Sequence, residues 1–398
     1  MAMMEHETPQ SSAILADMRI IDLSRVVAGN ITTQVFSDLG ADVIKVENPK
    51  DGDNLRNWTC QGLETWWKVY GRGKRSLGLD LRAPEAKDIL KGLLADADVL
   101  VENFRPGTLE KMGFAPEEIW KINPRVVILR ISGWGQSGPY SHKGGFGSLI
   151  EAYSGFASMN GFADREPVLP PFAMADAYAG VFGAVAILAA ARRAQATGQG
   201  DVIDMSLLEP LFSVLGPLTL EAKLTGRPTP RQGSSSPTHA PRNVYECGDG
   251  KFVALSAATE AMVKRLFEAM GKPELGEDPR FANHAARITH RHELDGEIGD
   301  FMKTRDRDAC LALFDKAGVT VGPVMDAGDL LDDEFMRVRG ALVDQPDSEL
   351  GTIPAPGAPI RFGHAPTKDM RTAPKVGEHT LEILKELGIS PPAKGEAE

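Results

Sequence analysis

In the first half of the chain, short runs rich in β-branched residues alternate with apolar positions at helical spacing, separated by polar or small-residue breaks. Met18 to Leu23 (MRIIDL) and Asp42 to Glu47 (DVIKVE) are β-rich runs that predict strands. Between them a small-residue turn at Val27 to Asn30 leads into Ile31 to Leu39, whose apolar positions share one helical face, and Gly40 stops that helix. The pattern returns as Ser76 to Leu81, a helix over Pro84 to Ala95, a strand over Asp98 to Glu102 and a strand over Val126 to Ile131. Such β-α-β succession predicts a parallel sheet, with ligands beyond the strand C-termini.

The stretch Pro171 to Arg193 (PFAMADAYAGVFGAVAILAAARR) has a different character. Val181, Ala184, Val185, Leu188 and Ala191 recur at helical spacing, and the alanine content favours a helix that begins at or near Asp176. There the free N–H groups and the helix dipole favour a carboxylate, so Asp176 reads either as an N-cap or as a group placed for chemistry. The apolar run Ala179 to Ala191 is shorter than the roughly 20 residues that span a bilayer, and a buried helix is expected.

After an apolar segment, Ser206 to Leu224, comes Gly226 to Arg242, dense in proline, glycine, serine and threonine: a linker or mobile loop. Val244 to Cys247 and Phe252 to Ser256 flank Asp249-Gly250, which predicts a hairpin. Helices are expected over Glu260 to Met270, Arg291 to Lys303 and Arg307 to Ala317, and this piece ends near Gly318 to Pro323. Ile353 to Phe362 predicts extended chain, and Thr380 to Leu387 a last helix closed by Gly388. The expected organisation is a disordered leader (1–17), a doubly wound, Rossmann-like α/β large domain (18–225), a smaller α+β domain with linkers (226–330) and a C-terminal segment (331–398) returning to the large domain.

Charge and composition narrow the function classes. A net charge of -11 over 398 residues speaks against nucleic acid as the main partner but allows a local basic pocket for an anion. The 42% hydrophobic and 25% charged content is that of a soluble globular protein. Cys60, Cys247 and Cys310 form no CxxC pair, so no disulfide framework or zinc site is predicted and a cytoplasmic location fits. The polar opening residues have neither the basic nor the apolar region of a signal peptide.

Gly133-Trp-Gly135-Gln-Ser-Gly138 matches GxGxxG, yet Pro139, Gly144 and Gly145 follow where a dinucleotide fingerprint must open a helix. A tight glycine loop at the sheet edge is the better reading.

Eight segments in order resemble the class III (CaiB/BaiF-type) coenzyme A transferases, the family that includes formyl-CoA transferase and carnitine CoA-transferase. They are Asp22 to Gly29 (DLSRVVAG), Leu39 to Glu47, Gly73 to Ser76, Val101 to Gly107 (VENFRPG), Ile131 to Pro139, Ala175 to Gly180 (ADAYAG), Gly322 to Val324 and Gly377 to Thr380. The resemblance covers about Met18 to Leu387. It implies that Asp176 is the catalytic aspartate, which attacks an acyl-CoA thioester to form an aspartyl anhydride and then an aspartyl-CoA thioester. It implies no metal and no permanently bound cofactor, coenzyme A arriving as a thioester substrate; succinyl-CoA with a small dicarboxylate or hydroxy acid fits the breadth of the family.

The resemblance also implies coenzyme A contacts at Val27, Ala28, Leu79 to Arg82, Asn103, Phe104, Arg105, Lys111 and Lys143. Asn103 and Phe104 stand out because they end a predicted strand. A mobile glycine-rich loop is matched to Gly233, Ser234, Ser235 and Ser236, and the acceptor pocket to Phe146 and Gly147. An interlocked homodimer is implied, with no nucleic acid or membrane partner. Formyl-CoA transferases have glutamine at Val27, arginine at Asn48 and glutamate at Gly147, so the acceptor pocket is expected to differ from theirs.

Two other readings compete. The same fold houses α-methylacyl-CoA racemases, whose histidine falls at the position of Phe146; a phenyl ring cannot move a proton, and a packing role is expected for it. The nearby His142 is off register. A non-catalytic acyl-CoA binding protein would have no need of Asp176.

Overall fold

The computed structural model describes residues 13–257, 259–364 and 370–389, so the leader expected over 1–17 lies outside the described residues as far as Ser12. Ala13 to Asp17 form a turn that leads into the first strand. The chain divides into two compact units, one of residues 1–156, 170–216 and 334–398 and the other of 157–169 and 217–333. The sequence boundaries at 225 and 330 thus differ from the observed ones, and residues 157–169 group with the second unit.

The first unit is built on six parallel strands, β1 (Arg19–Asp22), β2 (Asp42–Glu47), β3 (Arg75–Gly78), β4 (Val99–Glu102), β5 (Val127–Ser132) and β6 (Val202–Ser206), in the order β3-β2-β1-β4-β5-β6. Ile21 of β1 pairs with Ile44 on one side and Leu100 on the other. The strand order reverses between β1 and β4, the switch point where doubly wound sheets open a crevice. β6 escaped the sequence reading because Asp204 and its half-exposed neighbours break the apolar run of this edge strand.

Alternation along the strands fills a core on each face. Ile20, Val43, Val99 and Leu129 join one, together with Phe36 of helix α1 (Ala28–Asp38) and Ala184 and Ile187 of a long helix. Ile21, Ile44, Leu100 and Ile128 join the other, with Ile89 and Leu93 of helix α2 (Ala86–Ala95) and with Ile383 and Leu384 of the last helix, Thr380–Glu386. That last helix is fastened to β3, where Gly78 N–H donates to Thr380 Oγ1 at 3.0 Å and Arg75 Nη1 lies 2.6 Å from Glu386 Oε1.

Two further helices matter here, α3 (Gly147–Tyr153) and α4 (Met174–Thr197). The expected helix at Pro171–Arg193 is α4, but its faces are reversed. Its buried side is the small-residue side, Ala179, Gly180, Gly183, Ala184, Ile187 and Ala191, whereas Val181, Val185 and Leu188 are exposed. The cause is close approach, since a Cβ built on Gly180 would lie 2.7 Å from Ile31 Cγ2 and 2.9 Å from the Ala28 carbonyl oxygen of α1. The expectation of a fully buried helix is therefore corrected to one buried face. At 24 residues α4 is also long and apolar enough, by length and composition, to cross a membrane, contrary to the length read from Ala179 to Ala191.

Helices Leu208–Val214 and Leu218–Thr225 make up most of the apolar segment that precedes the expected linker. In the second unit β7 (Arg242–Glu246) and β8 (Phe252–Ser256) form the expected antiparallel hairpin. β9 (Val321–Pro323) adds a third strand where an end had been expected, because Val321 can pair with Leu255. Helices Glu260–Ala269, Arg291–Met302 and Arg307–Lys316 pack Leu266, Ile298 and Phe314 into its core. The extended piece near the C-terminus is one arm of a hairpin, β10 (Leu342–Asp347) with β11 (Gly351–Pro356).

Candidate active site

Asp176 is the third residue of α4, and Ala173 is the N-cap without a side-chain cap, so Asp176 is not the cap that its position suggested. Its carboxyl is pushed up to about 6, first by burial and second by the charge of Glu151, against hydrogen bonds from the backbone N–H groups of Ala28 and of Asp176 itself. The first turn of a helix was expected to hold this charge; burial and a neighbouring acid outweigh it. Glu151 lies in α3, 3% exposed, and its Oε1 accepts the Ala175 N–H at 3.1 Å. Gly147 opens α3 against the pair. A Cβ built there would stand 2.3 Å from Asp176 Oδ2 and 3.7 Å from Glu151 Oε1. A half-buried carboxyl of this basicity is a better nucleophile than an ordinary aspartate and is still about nine-tenths ionised at pH 7.

The Ala28 N–H is presented by a taut loop between β1 and α1. Val26 has φ of 64°, a left-handed conformation that a β-branched residue holds only under constraint. Its N–H donates to Asp53 Oδ1 at 2.9 Å, and Asn103 brackets Arg25, accepting its N–H at 2.8 Å and donating to its carbonyl at 2.7 Å. Asp22 accepts the Ser24 N–H at 2.9 Å, and Lys45 donates to the Ser24 carbonyl. Beneath the loop Lys45 pairs with Asp53 at 2.8 Å, both fully buried. Against the burial that would raise it, Lys45 and the N–H groups of Leu55 and Val26 draw the Asp53 carboxyl down to about 2. Fully buried Lys74 donates to Asn30 Oδ1 at 2.8 Å.

The residues expected at coenzyme A all follow strand C-termini of the first unit. Val27 and Ala28 follow β1, and both are buried. Leu79, after β3, is buried, while Arg82 is exposed and paired with Asp80. Asn103, after β4, is spent on Arg25, and the Arg25 guanidinium lies 5.6 Å from the Phe104 ring centroid. Arg105 and Lys111 are exposed at the same edge. Lys143, in the β5–α3 loop, lies 3.6 Å from the Tyr140 ring centroid. That loop contains the GxGxxG match, with left-handed Gly135 and Gly138, and does not open a helix until Gly147.

Phe146, for which packing was expected, is 72% exposed as the N-cap of α3. Its backbone rather than its ring has a local role, since its carbonyl accepts the Leu149 and Ile150 N–H groups. The loop Gly233 to Ser236 belongs to the second unit, where it is well fastened. Gly233 has φ of 60° and donates to the Gly161 carbonyl at 2.9 Å, and Arg242 Nη1 donates to the carbonyls of Ser234 at 3.1 Å and Ser235 at 3.2 Å. Glu151 and Asp53 went unnoticed in the sequence. The first had a visible signal, an acid four residues from Gly147 in an otherwise apolar helical turn, LIEAY. Asp53 had none, because only the fold carries it to Val26.

Comparison with known proteins gives a consistent picture. Residues 15–380 match CoA-transferase family III. The chain is 37% identical over 376 residues to a succinyl-CoA–D-citramalate CoA-transferase of Chloroflexus aurantiacus, covering 94% of each chain. It is 34% identical to a succinate–glutarate CoA-transferase of Agrobacterium fabrum, covering 96% of this chain and 97% of the relative. The crystal structure of a CaiB/BaiF family protein from Brucella suis superposes with a TM-score of 0.86 at 32% identity, covering 95% of this chain and all of the other.

Proposed function

Because the chain belongs to CoA-transferase family III and is a CoA-transferase, we propose that it moves coenzyme A from an acyl-CoA to a carboxylic acid through covalent intermediates on Asp176. The observation that carries this reading is a half-buried carboxyl of raised basicity on the first turn of α4, touched by the Ala28 N–H and given room by Gly147. An Asp176 oxygen attacks the thioester carbonyl, the C–S bond breaks, and the coenzyme A thiolate leaves a mixed anhydride behind. The thiolate then attacks the aspartyl carbonyl and releases the donor as its carboxylate, so Asp176 carries coenzyme A as a thioester. An acceptor carboxylate attacks that thioester, the thiolate departs and returns to the acceptor's acyl carbon, and Asp176 is free again. Every step exchanges one acyl bond for another.

Succinyl-CoA as donor and a small dicarboxylate or hydroxy acid as acceptor are supported by the names of the relatives, which exchange succinyl-CoA or succinate with D-citramalate and glutarate. The loops after β1, β3, β4 and β5 are the proposed seat of coenzyme A, with Arg82, Arg105 and Lys111 supplying charge for its phosphates. A homodimer is part of the proposal: Val181, Phe182, Val185 and Leu188 expose an apolar strip along α4 at 51%, 40%, 61% and 39%.

The decisive experiment mixes the protein with succinyl-CoA and a panel of carboxylic acids and follows new thioesters by mass spectrometry. Asp176→Ala is expected to lose ~10³-fold or more of the turnover. In the parent enzyme, the peptide containing Asp176 is expected to carry a mass adduct after exposure to acyl-CoA alone. Turnover retained by Asp176→Ala would sink the covalent mechanism.

A further inference from the structure

At the N-terminal edge of the parallel sheet, opposite the strand ends discussed so far, α1 ends at Asp38 and β3 has yet to begin at Arg75. There the segment around β10 and β11, itself part of the first unit, borders a cavity of about 430 Å³, within the range of small-molecule sites. Four arginines line it, Arg72 before β3 and Arg339, Arg361 and Arg371 from the C-terminal segment, and Asp38 is the single acid among the lining residues. In a protein of net charge -11 such a concentration of positive charge is not a consequence of composition.

Asp38 does not neutralise the cavity. Its two oxygens are taken by Arg72, at 2.9 Å from Nε and 2.6 Å from Nη2, and the remaining Arg72 nitrogen donates to the Pro356 carbonyl at 2.6 Å. Arg72 is thereby a fixed wall that ties β11 to α1. Arg339, Arg361 and Arg371 have no carboxylate partner among the described residues. The Arg361 head lies over Gly340, where a built Cβ would come within 2.9 Å of Nη2. Val343, Phe362 and Met370 add apolar lining beside these guanidinium groups.

We propose that this cavity is a binding site for a small organic dianion, separate from the Asp176 centre. Planar guanidinium forks that meet no carboxylate among the described residues take carboxylate or phosphate oxygens, and the apolar lining takes a short carbon body. The ligand class is therefore a dicarboxylate or a phosphate monoester, which share two negative charges on a compact skeleton.

Equilibrium titration of the full chain with glutarate, glycerol phosphate and acetate tests the proposal. One saturable site that Arg361→Ala weakens about tenfold is expected for at least one of the two dianions, and none for acetate. Arg339→Ala and Arg371→Ala are expected to weaken the same site by a similar factor. Arg361→Lys keeps the charge without the fork and should fall between parent and alanine variant. Whichever dianion responds identifies carboxylate or phosphate as the ligand's charged group. Binding that survives all three alanine substitutions lies elsewhere on the chain and overturns the proposal, as does the absence of saturable binding to the parent. Unchanged melting midpoints without ligand establish that the variants are folded, and a variant that fails this control is replaced by Arg→Gln at the same position.

Discussion

The chemistry of Asp176 is set by an imbalance between burial and stabilisation. Its carboxyl, ordinarily at 3.8, titrates at about 6 because it is buried and faces Glu151. In the proposed mechanism the attacking form is the anion, so the rate of transfer is expected to fall as pH drops through about 6, and Glu151→Gln should move that limb to lower pH with little change on the alkaline side. A pH profile of kcat for both proteins checks this. The stability consequence has the opposite sense. Folded Asp176 holds its proton more tightly than the unfolded chain, so its contribution is full below 3.8 and is lost as pH rises through 6. At pH 7.5 Asp176→Asn is accordingly expected to be inactive yet more stable by roughly 1–2 kcal/mol, a difference that urea midpoints would register. Gly147→Ala puts a methyl 2.3 Å from Oδ2, and either the carboxylate or α3 must move. It should lower kcat at least tenfold while costing roughly 1–3 kcal/mol of stability.

At the scale of elements, α1 and α4 form the joint on which the site depends. Gly180→Ala would press a Cβ against Ile31 and the Ala28 carbonyl, disturbing the turn that offers Ala28 N–H to Asp176. A loss of roughly 1–3 kcal/mol in denaturant unfolding is expected, with a fall in kcat larger than any change in KM for acyl-CoA. Asp53→Asn weakens the grip on left-handed Val26 and should likewise reduce kcat more than binding. Five of the six parallel strands were legible, four from runs rich in valine and isoleucine and β3 (RSLG) from its place in the β-α-β succession. β6 was not, since an edge strand carrying Asp204 has no apolar run to read. The face of α4 was misread for a related reason. Hydrophobicity points to Val181 and Val185, but glycine and alanine go inward where two helices approach closely, and periodicity cannot rank size against hydrophobicity. The proposal for Asp176 came from its motif, ADAYAG, whereas Glu151, which raises its basicity, comes from another helix, and the loop that presents Ala28 N–H is held by buried Lys45.

For the whole molecule, the apolar strip on α4 predicts association. Light scattering is expected to give a dimer, and Val181→Asp combined with Val185→Asp should shift it toward monomer. Persistence of the dimer in that variant would place the contact elsewhere. Such a strip also has a kinetic meaning. One helix of 24 residues has the proposed nucleophile at one end and an exposed apolar flank along the same length. If the proposed dimer covers that flank, it is expected to steady the end as well, so turnover per chain should depend on how concentrated the protein is. Dilution, with no change in substrate, pH or temperature, would then act as an inhibitor.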